Sequence, residues 1–180
     1  MKLTKVIDAL VKTTAEHPDP RYCLDSVNIT PTRMETTNGC FVTVVNHNQT
    51  LPEFNAPLLV SAKHLKTAIK VRGNHANAEM GLTADEDTTT IHTGGGVFEE
   101  NRQKGEFPDV NKMLDISSAR TRKTTATLNI KFLKQILAVA SATGSQGLTL
   151  TFNEVTGPGG ALPVTFSFDD GHGAIMPMNS

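Results

Sequence analysis

Lys123–Met178, KTTATLNIKFLKQILAVASATGSQGLTLTFNEVTGPGGALPVTFSFDDGHGAIMPM, decides the fold. Thr124–Leu128 reads as a strand, and Asn129–Ala142 as a helix with an apolar stripe. Leu148–Phe152, Leu162–Phe168 and Ala174–Met178 read as strands separated by turn residues. The same order appears twice upstream. Leu3–Thr14 is helical in pattern and is followed by the strands Tyr22–Ile29, Arg33–Thr36 and Cys40–Asn46. Pro57–Val60 is a short strand and Ser61–Arg72 a helix, with strands at Ala78–Leu82, Thr88–His92 and Val97–Asn101. One helix carrying one antiparallel layer, three times over, predicts an α+β fold with helices on one face.

The helix stripes are specific. Leu3, Val6, Ile7, Leu10 and Val11 line the first helix; Leu65, Ala68 and Ile69 line the second. Phe132, Leu133, Ile136, Leu137 and Ala140 are the expected buried face of the third. Turns punctuate the rest. Asn38-Gly39 is a hairpin signal, Asp85-Glu86-Asp87 an acidic hairpin tip, and Thr93-Gly94-Gly95-Gly96 a turn or bulge. Gly157–Gly160 and Asp169-Asp170-Gly171 read likewise as loop and turn. Val110–Ile116 is expected as a connector, and Ser117–Lys123 as a basic linker. That places a first domain of two units at 1–116 and a third, half-domain unit at 117–180.

Charge is nearly balanced, with 17 basic and 18 acidic residues, but it is unevenly divided. The segments Met1–Glu16, Ser61–Arg72 and Asn129–Ala142 hold nine basic residues: Lys2, Lys5, Lys12, Lys63, Lys66, Lys70, Arg72, Lys131 and Lys134. Their only acids are Asp8 and Glu16. Subtraction leaves eight basic and sixteen acidic residues for strands and loops. Lysines on any one helix are ordinary solvated charge. Three basic helices in the same slot of a repeat make one basic surface, which attracts phosphates without reading sequence.

Catalytic chemistry finds little support. Six histidines are scattered without metal-ligand spacing. His64 stands among helix lysines, as a surface histidine or a phosphate contact. Gly94–Gly96 lacks the Lys-Ser/Thr of a phosphate-binding loop. No cofactor and no metal are expected, and the hydrolase alternative lacks a constellation. Cys23 and Cys40 are expected as buried free thiols. No run is long and apolar enough for a membrane span, and the amino-terminal helix is interrupted by Asp8 and Lys12, which points to a cytoplasmic protein.

Three stretches carry a resemblance to the DNA polymerase sliding clamps, most closely the bacterial β type. GEFPDVNKML (Gly105–Leu114) resembles the segment that closes one clamp domain and leads to the next. NIKFLKQIL (Asn129–Leu137) resembles the second helix of a clamp domain, and AIMPM (Ala174–Met178) the carboxy-terminal strand. The basic helix after APLLVSAKHL (Ala56–Leu65) fits as well. The resemblance implies a non-enzymatic processivity factor. Its homo-oligomeric ring would encircle double-stranded DNA with helices inside and sheets outside. The nine basic residues would face DNA. Met176, Pro177 and Met178 would border a groove for polymerase and clamp-loader peptides; packing into the core is the other reading of these methionines. Both known ring types total twelve helix-plus-sheet units, so three per chain imply a tetramer. The small size suggests a phage or other mobile element. The alternative is a clamp-fold module that binds DNA or protein without closing a ring.

Overall fold

The structure is a computed structural model that describes residues 4–17, 19, 21–47, 57–72, 80–117, 126–152 and 163–178. The elements run α1 (Thr4–Leu10), β1 (Ser26–Ile29), β2 (Arg33–Thr37), β3 (Phe41–Asn46), β4 (Leu58–Ser61) and α2 (Ala62–Arg72). They continue as β5 (Gly81–Ala84), β6 (Thr88–Thr93), β7 (Gly96–Asn101), α3 (Val110–Ser117), α4 (Ile130–Thr143), β8 (Thr149–Thr151), β9 (Val164–Phe168) and β10 (Gly171–Ile175).

Seven strands form one antiparallel sheet in the order β4-β1-β2-β3-β10-β9-β8. Strands β5-β6-β7 form a second, three-stranded sheet. Each repeat was expected to carry its own layer, but the first and third units share one. Strand β3 pairs with β10 from Phe41↔Ile175 to Val45↔Gly171. Strand β4, the expected opening strand of the second unit, pairs with β1 at Val27↔Val60. Residues on both sides of the expected linker therefore share a sheet and a core.

One main core lies between the sheets and the helices α1, α2 and α4. Leu10, Val27, Leu58, Leu65, Ile91, Ile136 and Ile175 are all buried in it. Helix α1 packs against both α4 and α2, and α2 covers β6 and β7. The Phe132 ring of α4 sits 5.2 Å from Phe41 of β3. On the same side of the sheet, Gly171 and Gly173 lie opposite Phe168 and Phe166, whose rings stack over them. A Cβ on Gly173 would collide with the Val42 carbonyl and the Phe166 ring.

Helix α1 is shorter than its apolar stripe predicts. The Thr13 hydroxyl donates to the Leu10 carbonyl at 2.6 Å, and the Thr14 hydroxyl to the Val11 carbonyl at 3.1 Å. Such side-chain bonds compete with helical continuation. The Thr13 hydroxyl also meets that of Thr36 at 2.6 Å, joining the helix end to β2. Of the expected strand Thr124–Leu128, residues 124 and 125 lie outside the described residues. Ala126–Leu128 is not in either sheet, and its tie to the neighbouring chain is Met178 N–H donating to the Thr127 carbonyl at 2.8 Å. Gly157–Gly160 also lies outside the described residues.

The expected connector at Val110–Ile116 is helix α3. Asp109 caps it, accepting from the Lys112 N–H at 3.2 Å, and Val110, Met113 and Leu114 form its inner stripe. That stripe and Phe107 pack on Val42, Val44 and Ala174, on the sheet face opposite the main core. Both faces of β1 are buried, which is why its pattern named no inward face. Ser26 donates to Gln103 at 2.7 Å, and Asn28 donates to Glu35 at 2.6 Å. Arg33 Nε lies 2.6 Å from Glu35 Oε1 and its guanidinium reaches Asn111 of α3 at 3.0 Å.

Candidate nucleic-acid interface

Apolar positions turn each helix toward the core, so lysines three and four residues apart fall on the far side. Lys63, Lys66 and Lys70 are exposed along α2. Lys5 is exposed on α1, Lys12 in the turn after it, and Lys131 and Lys134 on α4. The packing of α1 against its two neighbours brings these seven cations onto one helical layer, opposite the sheets. Arg72 ends α2, and Lys2 lies outside the described residues.

Two of the seven already hold carboxylates. Lys12 Nζ lies 2.8 Å from Asp8 one turn back. Lys131 Nζ lies 2.8 Å from Glu16 Oε1, across the α1–α4 boundary. The hydrogen bond and charge of Lys131, with further help from His17 and Lys66, hold the Glu16 carboxyl below the usual carboxylate range. The Gln135 amide donates to the Lys12 carbonyl, closing the same boundary. Above it runs an open groove of about 440 Å³ lined by Ala9, Lys12, Ile130, Lys131, Lys134, Gln135 and Ala138.

His64 has neither of its expected roles, because it points back at the second sheet. Its Nε2 is 3.2 Å from the Phe98 carbonyl and its Nδ1 is 3.5 Å from Glu100. Ser61 stands beside it and caps α2, accepting the His64 N–H at 3.0 Å. The trio Ser61, His64 and Glu100 has hydrolytic residue types in the wrong order. The Ser61 hydroxyl donates to Glu100 at 3.1 Å rather than to the imidazole. A base must accept the nucleophile's proton, so this arrangement is a helix cap. Among the described residues no three His, Cys, Asp or Glu side chains gather as metal ligands.

Met176–Met178 follows β10, which stops at Ile175 just before Pro177. The Met176 N–H donates to the Cys40 carbonyl at 2.9 Å and the Met178 N–H to Thr127. The backbone is thus fixed at both ends while the side chains stay out. Met176 is 44% exposed and Met178 51%, which removes the core reading for both. Pro177 is half-buried between them. Cys40 is exposed and Cys23 half-buried, so neither thiol is buried as expected.

The structure also departs from the expected face of α4. Leu137 is 47% exposed, while Val139 takes the buried place with Ile136 and Ala140. Lys131, Gln135 and Ala138 occupy the flank toward α1, leaving Leu133 and Leu137 on the opposite flank. Sequence reasoning missed α3 and the pairing of both helix acids with lysines. The first had a signal in Pro108-Asp109 ahead of Val110, Met113 and Leu114; the Glu16–Lys131 pair, 115 residues apart, had none.

No protein-family profile and no curated protein sequence matches the chain. Solved structures do match. The DNA polymerase sliding clamp of Pseudomonas aeruginosa superposes with a TM-score of 0.72 at 14% identity, over 99% of this chain and 64% of that one. A putative DNA polymerase III β subunit of Eubacterium rectale gives 0.71 at 11% identity, over 98% and 63%. The Thermotoga maritima β subunit gives 0.67 at 12% identity, over 99% and 63%. The chain therefore has the α+β fold of the bacterial β sliding clamps and spans about 64% of their length.

Proposed function

We propose that this chain is a DNA sliding clamp, a non-enzymatic processivity factor that encircles duplex DNA and tethers a polymerase. One observation carries the reading. In a fold shared with DNA polymerase sliding clamps over 99% of the chain, the lysines of α1, α2 and α4 share the helical layer opposite the sheets. A phosphate backbone is the chemistry such a layer attracts, independent of base sequence. The exposed Met176 and Met178, on a backbone held at both ends, fit the role of an adaptable apolar contact for polymerase and loader peptides.

Two units in residues 1–116 and one in 117–180 give three per chain, and a ring of twelve takes four copies. Particle imaging of the purified chain tests the proposal. Closed rings with a central hole support it. Isolated single chains that bind duplex DNA favour the open, non-ring module instead.

A further inference from the structure

We infer that Glu16 and Asp8 are built-in phosphate mimics, which occupy Lys131 and Lys12 and so limit how many lysines of the helical layer can hold DNA. The inference rests on the DNA-facing reading of that layer and adds to it residues that weaken the grip.

The geometry is that of a phosphate contact. A carboxylate oxygen 2.8 Å from an ammonium has the charge and distance of a phosphodiester oxygen on a lysine. Glu16 comes from the segment trailing α1 and reaches α4, with Lys66 of α2 also acting on it. Glu16 thus meets α4 directly and also feels the charge of Lys66. The two acids are the only ones in the three helical segments, and each is paired with a lysine. Both pairs are exposed, with Lys131 64% and Glu16 73% accessible, so carboxylate and phosphate compete for the same ammonium groups.

Occupation has a distinct thermodynamic mark. A lysine that neutralises a phosphate releases a condensed cation from the DNA, and the binding constant then falls with salt. A lysine held by its carboxylate neutralises no phosphate and so releases none. Lys5, Lys63, Lys66, Lys70 and Lys134 form no ion pair within 4 Å among the described residues and belong to the first kind. Lys12 and Lys131 belong to the second.

Anisotropy titration of a short fluorescent duplex across a salt series reads the difference. Glu16→Gln should steepen the slope of log K against log salt by about 0.9, with affinity up about eightfold at 0.1 M salt. Adding Asp8→Asn should give a second increment of similar size. Glu99→Gln, an exposed acid on β7, should leave the slope as it is. Lys131→Ala should cost more affinity in the Glu16→Gln background than in the native one, as a double-mutant cycle requires when two groups interact.

An unchanged slope in Glu16→Gln, or equal costs of Lys131→Ala in both backgrounds, overturns the inference. The two readings fail separately. If Lys63→Ala/Lys66→Ala/Lys70→Ala weakens binding while Glu16→Gln does nothing, only the mimicry falls. If the triple variant binds as the native chain does, the DNA-facing reading falls and takes the mimicry with it.

Discussion

Met176 separates two roles by one number. At 44% exposure it contributes little burial, so Met176→Ala should cost less than about 0.5 kcal/mol of stability. As a peptide anchor, the same change should lower affinity for a polymerase-derived peptide by roughly 2 kcal/mol. A melt and a peptide titration on one variant check both; a full-affinity complex would remove Met176 from the groove. Gly173 is the opposite case. Its missing Cβ leaves room for the Val42 carbonyl and the Phe166 ring, so Gly173→Ala should cost about 1–3 kcal/mol in urea unfolding. His172, on the α3 side of the sheet, has its pKa held down by burial and by the charge of Arg33. The unfolded chain therefore takes up a proton first as pH falls. Stability should be full above about pH 6.5 and decline below it, through the lowered folded value; His172→Gln should flatten that decline. These residues differ in what their own sequence shows. Pro177 announces the strand end by itself, because proline lacks the ladder donor. The inward turn of His64 does not, since it depends on Phe98 and Glu100 coming beneath it from another element.

Among elements, α2 reads clearly from sequence because cap, stripe and charge agree: Ser61 caps it, Leu65 and Ala68 are buried, and its lysines face away. Replacing Lys63, Lys66 and Lys70 by Ala should leave stability within about 0.5 kcal/mol per site while weakening duplex binding equally for all sequences. Helix α4 is legible only in part. Its periodicity places a buried face, but whether Leu137 or Val139 belongs to that face depends on which flank meets α1. Helix α3 was hidden for another reason. At eight residues it is too short to stand alone, and it forms because Val110, Met113 and Leu114 find Val42, Val44 and Ala174 on a sheet face that polar strand residues such as Asn28 and Glu35 had made look solvated. Losing its cap in Asp109→Ala should cost about 1 kcal/mol. Val110→Ala should cost about 1–2 kcal/mol by emptying the smaller core. Hydrogen exchange should then show α3 opening before the main sheet in both variants.

For the whole molecule, the succession of helices and antiparallel strands was legible because helix and strand periods alternate, yet the pairing of β3 with β10 in one sheet was not. Strand pairing across more than a hundred residues leaves no local mark; β3 and β10 meet through backbone bonds that every residue but proline can make. The same sheet ends at β8, whose outer edge has no strand partner among the described residues. Helix α4 turns its Leu133 and Leu137 flank away from α1. An open strand edge and an exposed apolar helix flank are each surfaces that pairing with another copy would cover. Under the ring reading, native mass spectrometry should find four times the 19.4 kDa chain mass. Leu137→Asp should drop that mass without unfolding the chain, because an exposed leucine adds little to the fold but its replacement puts an unpaired charge into the contact. A dimer or trimer in the native protein would correct the count of four. A monomer holding across micromolar concentrations would end the ring reading, and it would leave the basic layer as the surface of a single-chain DNA-binding module.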